Sequence, residues 1–144
     1  MTDTQSPTKS GFSAAERAAM KQRAKELKLQ QSREESTQAV LDRIAELAEA
    51  DRVLAERIHA IITEAAPQLT PRTWYGFPAY ANAEGKIVVF FKDAAKFKDR
   101  YATLGFETSA QLDDGEVWPV AFAITALSPA EEKKIAELVA KAAG

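Results

Sequence analysis

The sequence contains no cysteine and only one histidine among its 144 residues. Without cysteine the chain has no disulfide, no thiolate metal site and no cysteine nucleophile. A single histidine cannot supply the two imidazoles that a His-x-x-x-His zinc site requires. A Gly-x-Ser-x-Gly motif and a phosphate-binding loop are also missing. These absences remove the common catalytic constellations, and we therefore expect a binding protein rather than an enzyme.

The chain also lacks a strong excess of one charge and any long apolar run. Nineteen Lys and Arg residues stand against twenty-one Asp and Glu residues, a formal net charge of −2. This near-balance argues against a dedicated nucleic-acid-binding protein, whose binding domain is usually strongly basic. No stretch approaches the roughly 18 apolar residues of a membrane helix, and residues 1–11 have no apolar signal-peptide core. We therefore expect a cytoplasmic location and no membrane partner.

The N-terminal third of the chain is polar and then basic. Residues 1–12 predict a disordered tail, because they have almost nothing to bury. Ser13 and Glu16 have the spacing of a capping box, which predicts a helical extension over residues 13–33. Cations outnumber carboxylates in that extension, with Arg17, Lys21, Arg23, Lys25 and Lys28 against Glu16 and Glu26. A solvated appendage and an electrostatic arm for nucleic acid or another acidic partner both fit this pattern.

A strict apolar rhythm begins at Val40 and predicts helices. The rhythm continues through Ile44, Leu47, Leu54, Ile58, Ile61 and Ala65. Either one long helix or two helices joined at residues 49–51 would produce it. We favour two, because Asp51 is a good N-cap and a single helix over residues 36–66 would be long for a small domain. His59 should be a half-exposed residue of the second helix, and Pro67 should end that helix.

Two acidic groups are candidates for a weak metal site. Asp42, Glu46 and Glu49 are spaced i, i+4 and i+7, which aligns three carboxylates on one helix face. Oxygen ligands suit hard cations such as calcium, magnesium, manganese or ferrous iron. A solvated helix face is the alternative. A second acidic group precedes the last predicted strand at Asp113, Asp114 and Glu116, where ordinary turn chemistry is the alternative.

Aromatic residues concentrate after residue 70 and predict a sheet. All three tyrosines, both tryptophans and six of the seven phenylalanines lie there. Aromatic and β-branched runs place strands at about 72–81, 86–92, 100–106 and 117–125, with a hairpin turn at 82–85. A capping box from Ser128 to Glu131, with Pro129 at the first helical position, predicts a final helix.

Both faces of the predicted strands are apolar, more than a sheet with one solvated face requires. A face left uncovered by helices would expose an aromatic patch, which usually marks a binding surface. Rings with polar tips and neighbouring cations would favour an anionic small molecule or a peptide, and plain core packing is the alternative. The candidate ligand-binding residues are Trp74, Tyr75, Phe77, Tyr80, Lys92, Lys96, Tyr101 and Trp118.

Four features carry a resemblance to a known bacterial family. They are the helical segments 40–47 and 52–62, the motif Trp-Tyr-Gly-Phe-Pro-Ala-Tyr at 74–80, and the hairpin 88–106. With these, residues 40–143 resemble the YdhG-like domain of unknown function, in the YjbR/CyaY, frataxin-like structural neighbourhood. The resemblance implies an α+β fold over residues 36–144, a two-layer α/β sandwich with helices packed on an antiparallel sheet, to which the N-terminal helical extension is added.

The resemblance also implies a function. Some relatives are described as frataxin-like iron chaperones, which hold ferrous iron weakly on carboxylates and pass it to iron-utilising proteins. On this reading Asp42, Glu46 and Glu49 would be the iron ligands. Many relatives have a Lys-Asn-His segment after the second strand, whereas the corresponding residues 96–100 contain no histidine.

Overall fold

The computed structural model describes residues 11–144. The chain divides into two compact units, Met1–Glu35 and Ser36–Gly144. The predicted disordered tail, residues 1–12, lies outside the described residues except for Gly11 and Phe12. No helix within residues 11–144 is both long enough and apolar enough to cross a membrane.

Helix α1 covers Ala14–Ala45 and therefore belongs to both units. Its start is the predicted capping box: the Ser13 amide donates to Glu16 Oε1 at 2.8 Å, and the Glu16 amide donates to Ser13 Oγ at 3.1 Å. Every residue from 11 to 35 is exposed, and burial within the helix begins near its C-terminal end. The predicted basic extension and the first of the two helices predicted from the apolar rhythm are thus one continuous helix.

Helix α2 covers Glu49–Ala65 and is separated from α1 by residues 46–48. The prediction of two helices is confirmed, but the position of the second N-cap was wrong. Ala48 occupies the cap position without a side-chain hydrogen bond, and Asp51 lies inside the first turn. Asp51 is drawn inward because its carboxylate accepts hydrogen bonds from the amides of Ala94 and Ala95, 43 and 44 residues along the chain.

The structure contains five strands: β1 Thr70–Trp74, β2 Phe77–Ala81, β3 Ile87–Lys92, β4 Ala102–Phe106 and β5 Ala121–Ile124. They form one antiparallel sheet in the order β1-β2-β3-β4-β5. A short 3₁₀ helix, Ala95–Phe97, connects β3 to β4, and helix α3, Pro129–Ala143, follows β5. Each strand pairs with the next along the chain, so the sheet is a simple meander.

A two-residue turn divides the predicted strand 72–81 into β1 and β2. Tyr75 and Gly76 both have positive φ, 52° and 79°, as a type I′ hairpin turn requires. Glycine adopts this conformation without strain, but tyrosine rarely does, so the dipeptide lacks the usual Asn-Gly signature. The last strand is also shorter than the predicted strand 117–125. β5 begins only at Ala121, two residues after Pro119.

The helices pack on one face of the sheet, which confirms the α+β architecture. Register places Tyr80 opposite Val89, Val89 opposite Phe106, and Phe91 opposite Leu104, so these side chains share the inner face. They form one buried core with residues from α1, α2 and α3, among them Val40, Ile44, Ile58, Ile62, Ile135 and Val139. The other, outer face of the sheet carries the second set of alternating side chains.

The capping box of α3 leads to a stability prediction. The Glu131 amide donates to Ser128 Oγ at 3.3 Å, and the Ser128 amide donates to Glu131 Oε1 at 2.8 Å. We expect Ser128→Ala to lower the free energy of unfolding by about 1 kcal/mol, measured by urea denaturation. Ser13→Ala is the matched control, because it removes the same box from a unit whose described residues are all exposed. An equal effect of both substitutions would contradict this expectation.

The same box gives the expected pH dependence. Hydrogen bonds from Ser128 hold the pKa of Glu131 below its usual range. A depressed pKa in the folded state stabilises the fold when the carboxylate is ionised, and that stabilisation disappears as the pH falls through the lowered pKa. The difference in unfolding free energy between the native chain and Glu131→Gln should therefore be full at pH 7 and shrink below about pH 4.

Candidate ligand-binding face

The outer face of the sheet carries a row of aromatic rings, which we call the aromatic strip. Register explains why its strand residues lie together: Trp74 pairs with Phe77 across the turn, and Phe90 lies on the same face of β3. Phe97 of the 3₁₀ helix extends the row at one end, and Tyr75 of the turn extends it at the other. The strip thus consists of Trp74, Tyr75, Phe77, Phe90 and Phe97.

The rings contact one another in sequence across the face. Centroid distances are 5.0 Å from Tyr75 to Trp74, 5.4 Å from Trp74 to Phe90, 5.8 Å from Phe90 to Phe77 and 5.8 Å from Phe77 to Phe97. These separations are typical of favourable aromatic pairs. The inner three rings are half-buried, whereas Tyr75 is 80% exposed and Phe97 is 40% exposed. The two ends of the strip are therefore open to a ligand.

A glycine allows the strip to lie flat on the sheet. Phe90 pairs with Gly105 of β4, and its ring lies across the glycine. A Cβ atom at residue 105 would lie 2.5 Å from Cε2 and 2.9 Å from Cε1 of Phe90, and closer still to Cζ. Any other residue at position 105 would push the ring away from the sheet.

Three basic side chains lie beside the strip, and we call them the cation cluster: Arg43, Lys92 and Lys96. Nζ of Lys92 lies 4.5 Å from the Phe97 ring centroid, and Nζ of Lys96 lies 5.6 Å from it. Arg43 Nε donates to the carbonyl of Gly76 at 2.8 Å. A Cβ on Gly76 would lie 3.7 Å from Nζ of Lys96 and 4.0 Å from Nε of Arg43. Two cations therefore converge on the turn at Gly76, the residue that follows the exposed Tyr75.

Carboxylates neutralise part of this charge. Arg43 pairs with Glu46 at 3.5 Å, and Lys92 pairs with Asp99 at 3.6 Å. Lys96 has no carboxylate partner among the residues that the structure describes. The cluster keeps roughly one uncompensated positive charge, which suits a ligand with one anionic group.

Helix α2 positions the loop that carries Lys96 and Phe97. The carboxylate of Asp51, only 5% exposed, accepts hydrogen bonds from the amides of Ala94 at 3.0 Å and Ala95 at 2.9 Å. These amides open the short 3₁₀ helix, where donors have no partner within the helix itself. Bonds from a carboxylate to such donors are stronger than bonds between neutral groups. Asp51 is thus a positioning residue for one end of the aromatic strip.

Three of the predicted ligand-binding residues belong neither to the aromatic strip nor to the cation cluster. Tyr80 lies on the inner face, 1% exposed, with its hydroxyl 2.9 Å from Nδ1 of His59. Burial raises the pKa of Tyr80 and lowers the pKa of His59, so both are neutral at pH 7. Trp118 packs against the inner core. Tyr101 makes its ring contact with the Arg100 guanidinium, at 5.3 Å.

The predicted acidic metal site does not form. Asp42 accepts a hydrogen bond from Gln38 at 2.9 Å, Glu46 pairs with Arg43, and Glu49 belongs to α2. Within residues 11–144 no group of three His, Cys, Asp or Glu side chains is arranged to hold a metal ion. The i, i+4, i+7 alignment assumed an unbroken helix, but α1 ends at Ala45. The same finding applies to the second acidic group, Asp113, Asp114 and Glu116.

Sequence reasoning missed Phe90, Phe97 and Arg43 as members of this face. Strand alternation did contain a signal for Phe90, because it places Phe90 on the opposite side from the core residue Phe91. Phe97 is flanked by Lys96 and Lys98, a pattern equally typical of a solvated turn. Arg43 carries no local signal, since its partner Gly76 is 33 residues away.

Comparisons with protein-family models, with curated proteins and with solved structures found no match to this chain.

Proposed function

We propose that the chain is a cytoplasmic binding protein for a small anionic ligand that also carries a flat apolar group. The ligand would lie on the outer face of the sheet, with its ring against the aromatic strip and its anion at the cation cluster. The observation that carries this proposal is the convergence of Lys96 and Arg43 at Gly76, the residue that follows the exposed Tyr75. The relation to YdhG-like domains stays a proposal as well, supported by the motif at 74–80.

The aromatic strip supplies the apolar half of the site. Its two end rings are accessible, and an aromatic pair contributes roughly 0.5–1.5 kcal/mol beyond simple burial. Large exposed apolar groups are costly in water, so a row of contacting rings on a sheet face needs a reason. The rings contact each other rather than a helix of residues 36–144, since the core packs α1, α2 and α3 on the inner face.

The cation cluster supplies the polar half. Two like charges that converge on one point repel each other, and an anion placed between them relieves that repulsion. Lys96 is the best candidate for the direct contact, because it is exposed and has no carboxylate partner among the described residues. Arg43 is held in place by Gly76 and Glu46 and would add its remaining guanidinium donors.

The same site argues for binding rather than catalysis. The polar groups at the strip are lysine, arginine and tyrosine side chains, with Glu46 and Asp99 in ion pairs to two of the cations. No nucleophile with an adjacent base lies there among the described residues. The iron-carrier hypothesis lacks support within residues 11–144, because no three His, Cys, Asp or Glu side chains there are arranged to hold a metal ion. We therefore favour the anionic ligand over ferrous iron.

Isothermal titration calorimetry tests the proposal with three compounds: phenyl phosphate, phenol and inorganic phosphate. We expect phenyl phosphate to bind, and we expect either part alone to bind at least about tenfold more weakly, because each loses one half of the contacts. In Lys92→Gln/Lys96→Gln and in Tyr75→Ala, the affinity for phenyl phosphate should fall about five- to tenfold.

The matched control is Lys133→Gln/Lys141→Gln, which removes two exposed lysines of α3. This variant has the same net charge as Lys92→Gln/Lys96→Gln and should bind phenyl phosphate as the native chain does. Equal losses in the two double variants would show that only overall charge matters. Such a result, or no binding of phenyl phosphate at millimolar concentration, would overturn the proposed site.

A further inference from the structure

The first unit of the chain presents a row of cations along helix α1. At about 100° per residue, Arg17, Lys21, Lys25 and Lys28 fall within an arc of about 80° on the helix surface. We call this row the basic stripe. At about 1.5 Å per residue it is about 16 Å long. All four side chains are exposed, and the three lysines form no ion pair among the described residues.

The acidic residues of this part of the helix do not neutralise the stripe. Glu16 is held by the capping box with Ser13, and Glu26 accepts a hydrogen bond from Gln22. Glu16 and Glu26 lie about 100° or more from the nearest stripe residue around the helix. Four cations in a row without carboxylates between them form a surface complementary to a regular array of negative charges.

We propose that the basic stripe binds the phosphate backbone of duplex DNA without reading its sequence. A helix with side chains is about 10–12 Å across, and the major groove of B-DNA is about 12 Å wide, so the two fit. Phosphates along one DNA strand advance by about 3.4 Å of helix axis, so several lie within reach of a 16 Å row. The proposal goes beyond the small-ligand site and uses none of its residues.

Two other polyanions fit the stripe less well. A lipid surface would require a broad apolar helix face beside the cations. Between residues 14 and 35 the large apolar residues on that side are Met20 and Leu27 alone, and Leu29 lies across the helix from them. A single strand is usually held by aromatic rings on which bases stack, and Phe12 is the one aromatic residue of the described segment 11–35. A row of cations without aromatic rings and without a broad apolar face favours the duplex backbone over a single strand or a lipid surface.

Fluorescence anisotropy with a labelled 20-base-pair duplex, at sodium chloride concentrations from 50 to 200 mM, tests the proposal. For three to four phosphate contacts we expect log K to fall with log salt at a slope of about −3. The stripe variant replaces Arg17, Lys21, Lys25 and Lys28 by Gln, which preserves helix propensity. We expect this variant to lose at least about tenfold in affinity at 50 mM salt, with the slope near zero.

The charge-matched control replaces four exposed lysines of residues 36–144 by Gln, namely Lys86, Lys133, Lys134 and Lys141. It should bind the duplex as the native chain does, and a loss equal to that of the stripe variant would overturn the proposal. Absence of binding at 50 mM salt would also overturn it. So would tighter stripe-dependent binding to a single strand, or to vesicles containing phosphatidylserine, than to the duplex.

The two proposals fail separately. The stripe variant should still bind phenyl phosphate with native affinity, and Lys92→Gln/Lys96→Gln should still bind the duplex. Loss of duplex binding in Lys92→Gln/Lys96→Gln would show that DNA contacts these lysines and would contradict the assignment to the basic stripe. Circular dichroism should show native helix content in every variant, because the replaced side chains are outside the core.

Discussion

Asp51→Ala is expected to lower the free energy of unfolding by about 2–3 kcal/mol, because it removes a buried carboxylate that accepts two long-range hydrogen bonds. The amides of Ala94 and Ala95 would lose their acceptors at the start of the 3₁₀ helix. The melting temperature should fall by roughly 8 °C. Urea denaturation followed by tryptophan fluorescence measures the change.

Asp51→Asn and Glu49→Ala separate the hydrogen bonds from simple charge removal. Asparagine keeps one acceptor oxygen, so Asp51→Asn should lose about half as much stability. Glu49 belongs to the same first turn of α2 but is exposed, and Glu49→Ala should cost about 0.5 kcal/mol. If Asp51→Ala were no more destabilising than Glu49→Ala, the two bonds would not stabilise the fold.

Asp51→Ala should also lower the affinity for the ligand. A substitution that affects only stability, elsewhere in the fold, should not do so. Lys96 and Phe97 follow directly after the two amides that Asp51 holds. At a temperature where Asp51→Ala is fully folded, its affinity for phenyl phosphate should be lower than that of Ser128→Ala. The comparison isolates positioning of the loop from general loss of stability.

Gly105→Ala is expected to destabilise the chain by about 2 kcal/mol, although alanine normally suits a strand better than glycine. The added methyl group would occupy the space of the Phe90 ring. Phe90 cannot shift freely, because its ring also contacts Trp74 and Phe77. The same substitution should therefore change the fluorescence of Trp74 and reduce binding on the aromatic strip.

A double-mutant cycle tests whether the ring is the cause. Phe90→Ala alone should cost about 2 kcal/mol, since a half-buried ring is lost. In the double variant Gly105→Ala/Phe90→Ala the methyl group meets no ring, so its stability should equal that of Phe90→Ala. The expected coupling energy is about 2 kcal/mol. Simple additivity of the two substitutions would show that the strain at Gly105 arises elsewhere.

Local patterns predicted the helices and most of the strands. The capping boxes at Ser13 and Ser128 were identified from residues three positions apart, and the structure contains both. The four-three rhythm after Val40 predicted two helices on a core, and alternation predicted the sheet. Where the sequence was misleading, the misleading signal was also local: Asp51 resembled an N-cap, and Tyr75-Gly76 did not resemble a hairpin turn.

The candidate site was only partly predictable. Trp74, Tyr75, Phe77, Lys92 and Lys96 were all identified as candidates, and the structure brings them together on one face. Tyr80 was assigned with them as a ring with a polar tip, but the turn after Trp74 places it on the inner face of β2. Alternation restarts after a turn, so a missed turn leaves the face of each later residue undetermined. The prediction of a metal site at Asp42, Glu46 and Glu49 was wrong for a similar reason. The helix breaks between Asp42 and Glu49, so their spacing in the sequence no longer places them on one helix face.

The amino-acid sequence by itself determined most of the helices and strands of this protein, the α+β class and the separation of a basic helical segment from an aromatic sheet. Those properties depend on periodicity and capping, which act over a few residues. Only the tertiary structure decided that Asp51 holds the loop of Lys96 and Phe97, that Arg43 reaches Gly76, and that Phe90 covers Gly105. Each of these contacts joins separate elements, and its existence depends on where the intervening chain turns.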